Sequence, residues 1–232
     1  MMRSLVLMTT LFGLTVDAAA QERTIGLLAL PDVFGPRLCA PFEPQDIALH
    51  ESPNDASPLA FIHVDRNWSF APHGGCEGLE VSVHHGAQRS MLPALEFDYE
   101  MPGAIVVEQR DGWFRIRLDN RTAWVNASNA GPFMPLSELY EEFVGVTSIS
   151  ESFTGRLTSA PGPSGGPIMP RVAPGQPVRV LETRDSWVQV EVLSNSACTA
   201  ADDGPPEVVA TGWLPLHDSE GKPTVWFSSR GC

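Results

Sequence analysis

The chain has 232 residues, with 15 Lys and Arg against 28 Asp and Glu, for a formal net charge of −13 at pH 7. Such a surface repels nucleic acid, anionic lipid headgroups and acidic wall polymers, so nucleic-acid binding drops out of the functions to consider. The length suits one ordinary domain or two small ones.

Residues 1–20 carry Arg3, an apolar run from Leu5 to Val16, and Ala18-Ala19-Ala20 ahead of Gln21. That pattern predicts a cleaved secretory signal peptide, to be left out of the fold. The apolar run is too short to cross a bilayer core of about 30 Å as a helix. The expectation is a periplasmic or secreted protein with no stable membrane insertion.

Residues 21–42 read as a lead-in segment containing Cys39. After it, short apolar runs of period two are punctuated by many Gly and Pro, 20 and 21 in the whole chain. The runs include "AIVVEQ", "WFRIRL" and "TAWVN" (122–126), then "PVRVLE", "WVQVEVL" and "VVATGWLPL" (208–216). Alternation of this kind between turn signals predicts antiparallel strands in a small barrel or sandwich, an all-β fold.

These runs repeat. "EQRDGWFRIRL" (108–118) and "ETRDSWVQVEV" (182–192) share Glu, Arg, Asp and Trp in one frame, and Trp124 answers Trp213. "LHESP" (49–53) likewise answers "LTSAP" (157–161). Copy one holds a surplus at roughly 62–95, with Cys76 and the strand-like "LEVSVHH"; copy two holds a long hairpin loop, "SNSACTAADDGPPE", with Cys198. Between the copies, Leu136, Leu139, Tyr140 and Phe143 of "PLSELYEEF" fall at helical spacing and predict one short amphipathic helix.

The order of a loop ending in "SP" or "AP", "PG", a β run into "RDGW" or "RDSW", then "AWV" or "TGWL" resembles the bacterial SH3-like (SH3b) domain. The resemblance implies two tandem small SH3-like barrels: a first with an insert at 43–134, a linker with a short helix at 135–153, and a second at 154–232. It further implies a binding role toward a cell-envelope peptide, a glycan of peptidoglycan, or a protein partner. "EFDYEMPG" (96–103) is similar to the acidic aromatic motif of eukaryotic relatives. However, Tyr99 lies too close to Trp113 for their long loop, so proline-rich recognition is not expected.

Trp113, Trp124, Trp187 and Trp213 are expected to be core residues, because a large aromatic side chain buried in a small barrel contributes about 2–3 kcal/mol or more. Trp68 and Trp226 stand outside the paired positions. With Tyr99, they are the candidate ligand-binding residues. Asp111 and Asp185 precede the paired tryptophans, where Asp fills hairpin turns.

"GPSGGP" (162–167) resembles the nucleophile motif of trypsin-like proteases and fits G-x-S-x-G. A working Ser164 would need a His base, an orienting carboxylate and an oxyanion hole. Pro stands where the protease motif has Asp, and no histidine stretch of the required kind precedes it. A Gly- and Pro-rich turn is the simpler reading, and a non-enzyme is expected. A secreted serine hydrolase using Ser164 and an accessory or inhibitory module of a cell-wall enzyme are the alternatives.

His84 and His85 are adjacent and would face opposite sides of a strand, while His50, His63, His73 and His217 are scattered. Asp202-Asp203 lacks the alternating oxygen ligands of a calcium loop. No metal and no cofactor are expected. Four cysteines in an exported chain predict two disulfides, and of the three possible pairings the repeat selects Cys39–Cys76 and Cys198–Cys232, one within each half.

Overall fold

A computed structural model describes residues 22–30, 45–66, 79–98, 101–142, 146–168, 171–196 and 204–228. These residues are mostly β, in three antiparallel sheets.

The first half opens with β1 (Gly26–Ala29), whose four residues are buried on both faces. A separate four-stranded sheet follows: β2 (Gln45–Leu49), β3 (Ala60–Arg66), β4 (Leu79–His85) and β5 (Gln88–Met91), paired in sequence order. Next come β6 (Ala94–Asp98), β7 (Met101–Arg110), β8 (Trp113–Arg117) and β9 (Thr122–Asn126). A 3-10 turn at Ala127–Asn129, capped by the Asn126 side chain, leads into β10 (Phe133–Pro135). The helix α1 (Leu136–Glu142) begins at once after it. The second half is simpler: β11 (Val146–Ile149), β12 (Pro177–Arg184), β13 (Trp187–Leu193), β14 (Val208–Pro215) and β15 (Val225–Ser228).

Both halves arrange five strands in the same order, β10-β1-β7-β8-β9 in one and β15-β11-β12-β13-β14 in the other. The likeness extends to irregularities. The β7/β8 ladder slips between Val106 and Glu108, and the β12/β13 ladder slips between Val180 and Glu182, at matching places in the repeat. A bulge of this kind bends the strand and increases its twist, which lets one long strand serve two neighbouring ladders. Thus β7 pairs with β1 up to Val106 and with β8 from Val106 onward, while β12 pairs with β11 at Pro177 and Val178 and with β13 on both sides of its bulge.

The turns that follow also match. Asp111 and Asp185 both adopt left-handed backbone, with φ of 49° and 51°. Asp tolerates that conformation better than most side chains because its short carboxylate bonds locally. The Ala127 N–H donates to Gly112 O at 2.9 Å and the Leu216 N–H to Ser186 O at 2.7 Å, closing the two hairpins alike.

The surplus of copy one is the sheet β2–β5, inserted in the chain between β1 and the β6–β7 pair. It is no satellite: Ile47, Leu49, Ile62, Val64, Val81 and Val83 share one core with Val106, Phe114, Ile116 and Val125. The second half builds its own core from Leu157, Val178, Val188, Val190, Val192 and Leu214. The boundaries expected at 43 and 154 fall after β1 and β11, so segments read as lead-in and linker supply an inner strand of each half.

α1 joins the cores. Leu136 and Tyr140 pack into the second core, while Leu139 meets Leu27 and Ile105 of the first half in a small third cluster that also touches Trp226. Tyr140 is buried and its hydroxyl donates to Val225 O at 2.6 Å, fastening the helix to β15. A second tie runs through residues 22–24: the Thr24 N–H donates to Gly221 O, and His217 Nε2 lies 2.5 Å from Thr24 O.

Candidate functional site

The repeated tryptophans form the same ladder twice. On β8, Phe114 and Ile116 face the core, so period two turns Trp113 and Arg115 to the other side. Arg115 lies opposite Trp124 on β9, and in the second half Gln189 lies opposite Trp213 on β14. Each of these cross-strand tryptophans is nearly buried, at 7% and 5% exposure, although neither belongs to the main cores.

Arginine covers each of them. The Arg110 guanidinium stands 5.0 Å from the Trp124 ring centroid, and Arg184 stands 5.0 Å from that of Trp213. The planar cation is attracted to the negative face of the indole and keeps water from it. The backbone beneath is pinned as well: Trp124 exchanges both hydrogen bonds with His50, and Trp213 does so with Thr158. His50 and Thr158 are the residues that follow the matched Leu49 and Leu157, both fully buried.

Trp113 and Trp187 are the ladder's open members. Both are only half-buried, against the expectation of core packing. The physical reason is strand alternation: core positions are held by Phe114 and Ile116 in one copy and by Val188, Val190 and Val192 in the other. Trp113 also receives an edge-on contact from the His50 ring at 5.3 Å. Each half therefore presents a partly exposed indole beside an arginine-covered one. Such a surface can stack an apolar or planar group and offers a cation next to it. The alternation in "WFRIRL" and "WVQVEVL" already carried this signal, since both place Trp in phase with polar residues.

Two open grooves, of about 750 and 570 Å³, flank the β8–β9 turn at 118–121. Glu22, Arg117, Asn120 and Arg121 line the larger; His85, Gln88 and Arg89 contribute to the other. Volumes in this range accommodate a ligand of several groups.

Of the residues predicted to bind a ligand, Trp226 is half-buried on β15 against the cluster around Leu139, while Trp68 and Tyr99 lie outside the described residues. Cys39, Cys76, Cys198 and Cys232 lie outside them too, and so does His73. Ser164 is exposed in the turn closed by the Gly165 N–H to Gly162 O. Of these residues, the structure places Trp226 and Ser164, on separate segments of the second half.

The histidines include one arrangement that spacing could not reveal. His63 on β3 and His84 on β4 have ring centroids 4.9 Å apart, with Asp46 Oδ1 2.7 Å from His63 Nδ1 and Ser82 Oγ 2.9 Å from His84 Nε2. Strand pairing creates this contact, and no local motif encodes it. Among the described residues, no group of three or more His, Cys, Asp or Glu is placed to hold a metal ion.

His217 has a displaced titration. Burial lowers its pKa below the ordinary 6.5, the bond to Thr24 O opposes this, and Arg23 and Arg117 reinforce it. Its neighbour Asp218 is also held low. Burial works against its charge, but hydrogen bonds from Ser152 Oγ and from the Lys222 and Glu220 N–H groups together outweigh that effect.

No protein-family model matches the chain, and the comparison with curated proteins finds no match either.

Proposed function

We propose that the protein is an exported, non-catalytic binding or structural module of the cell envelope: two tandem SH3-like barrels joined by α1, following a cleaved signal peptide. The observation that carries this reading is the duplicated ladder, Trp113 with Trp124 and Trp187 with Trp213, set in two sheets that share one five-strand order and matching bulges, the first with β6 added beside β7. A duplicated module that repeats a half-exposed indole fits recognition of a repeated or extended partner better than one reaction centre. Two linked sites raise avidity without any new contact at either. The partner is a protein or a peptidoglycan component. The acidic surface sets nucleic acid aside, and no helix among the described residues is long and apolar enough to cross a membrane.

The test is retention of the full exported chain on purified peptidoglycan and, separately, on immobilised envelope extract. One matrix should retain it, and the double variant Trp113→Ala with Trp187→Ala should weaken retention about tenfold or more, the usual scale for truncating an aromatic anchor. Circular dichroism confirms that the variant keeps its strands. Failure of both matrices to retain the chain, or unchanged retention of the folded double variant, removes the reading. The serine-hydrolase alternative is separated by a fluorophosphonate probe, which should leave Ser164 unlabelled.

A further inference from the structure

A third concavity lies where the two halves meet, apart from the Trp113 and Trp187 surfaces and independent of what those bind. It is a cleft of about 170 Å³. Leu95 on β6 and Ile105 on β7 form its walls from the first half, and Trp226 on β15 closes it from the second. Arg117 and Lys222 contribute two cations, and Thr24, Ser150 and Pro223 complete the lining. The cleft therefore depends on both halves being docked.

Size restricts the occupant first. An apolar cavity of about 150 Å³ holds one benzene ring, whereas drug-sized ligands need about 300 Å³ or more. A single ring or branched aliphatic group fits here, and a peptide does not. Charge restricts it next. In a chain with 15 Lys and Arg against 28 Asp and Glu, two cations beside one apolar cleft are a local reversal of sign. One Arg117 nitrogen, Nη2, donates to Glu22 O at 2.7 Å, which leaves other donors of its five-donor fork. Lys222 is exposed, 2.8 Å from Glu220 Oε2.

The third observation is an orphan. Thr24 is 1% exposed, and its Oγ1 is the sole buried side-chain oxygen among the described residues without a hydrogen-bond partner. Buried hydroxyls are almost always paired. This one sits in the lining of a cleft whose other polar side chains are Arg117, Lys222 and Ser150, the last already paired with Ser152 Oγ at 3.1 Å.

We propose that this cleft binds a small organic acid: one aromatic or branched apolar group bearing a carboxylate. The apolar group rests against Trp226, Leu95 and Ile105. The carboxylate accepts hydrogen bonds from Arg117 and Lys222, and the Thr24 hydroxyl supplies a further donor. Because Trp226 belongs to one half and Ile105 to the other, occupancy also clamps the halves together.

The test uses the full exported chain with nitrogen-15-labelled tryptophan, titrated with benzoate, benzyl alcohol and acetate. The Trp226 indole resonance is identified by its loss in Trp226→Phe. Benzoate should shift it saturably, benzyl alcohol should bind about tenfold more weakly or worse for want of a charge-assisted bond, and acetate should leave it in place. Lys222→Met, at an exposed position, should weaken benzoate about tenfold and leave benzyl alcohol unchanged. Thr24→Val, nearly the same shape, should weaken benzoate while the remaining tryptophan resonances stay put. The proposal is overturned if benzoate gives no saturable shift at Trp226, if benzyl alcohol binds as well as benzoate, or if Lys222→Met binds benzoate unchanged.

Discussion

Asp111 and Asp185 hold a conformation that most side chains resist, and each initiates the strand on which a ladder tryptophan sits. Left-handed backbone costs an ordinary residue about 1–2 kcal/mol, and β-branched residues suffer most. Asp111→Val and Asp185→Val should each lower stability by roughly that amount, while the corresponding Gly variants should match or exceed the parent. Urea midpoints of the four variants check this, and equal loss for Gly and Val would show that the carboxylates matter for another reason. The sequence identified these residues as turn formers because Asp before Gly or Ser, ahead of an alternating run, is a local signal. It also contained the phase of Trp113 and Trp187. What it could not convey was the cover over Trp124 and Trp213, since Arg110 and Arg184 reach those rings only after three strands align.

Among the elements, β1 and β11 were the hardest to recognise. "GLLA" is four residues buried throughout, so it shows no alternation, and "VTSI" is short and mixed. Each becomes a strand only because two neighbours sandwich it, a tertiary cause that local propensity does not contain. α1 was legible because its apolar positions obey helical spacing, and Leu136, Leu139 and Tyr140 are indeed buried. Its attachment can be measured. Tyr140→Phe removes the donor to Val225 O and leaves that buried carbonyl unpaired, so stability should fall by about 1 kcal/mol. The loop holding His217 and Asp218 supplies a pH signature. His217 has its folded pKa below 6.5, so the unfolded chain binds more protons once pH drops under that value. Its contribution is complete above 6.5 and is lost as pH falls toward the folded value. Asp218 adds a second loss below 3.8, as pH passes down through its lowered folded pKa. His217→Gln keeps an N–H for Thr24 O without the titration. It should therefore lose less stability between pH 7 and pH 5 than the parent, and identical slopes would exclude His217 as the cause.

Across the whole molecule, the repeat was visible in the sequence because it preserves Glu, Arg, Asp and Trp in one frame, and the structure gives both copies one strand order. The four-stranded nature of the surplus was not visible. Only "LEVSVHH" announced itself, whereas β2, β3 and β5 depend on mutual pairing. The cysteines remain a prediction of the repeat: non-reducing peptide mapping should yield Cys39 linked to Cys76 and Cys198 linked to Cys232. A peptide joining Cys76 to Cys198 would instead staple the halves to each other.

The position of the inserted sheet has a consequence in time. β1 at Gly26–Ala29 must wait for β7 at Met101–Arg110 and β10 at Phe133–Pro135, with a whole sheet threaded between. β11 meets β12 across a much shorter loop. Folding slows as contacting residues lie farther apart along the chain. The second half should therefore assemble first and present α1 and Trp226 as a ready surface, on which the N-terminal half closes last. After dilution from urea, refolding should show two fluorescence phases: a fast one lost in Trp213→Phe and a slow one lost in Trp124→Phe. The segment made earliest would then be the one secured latest.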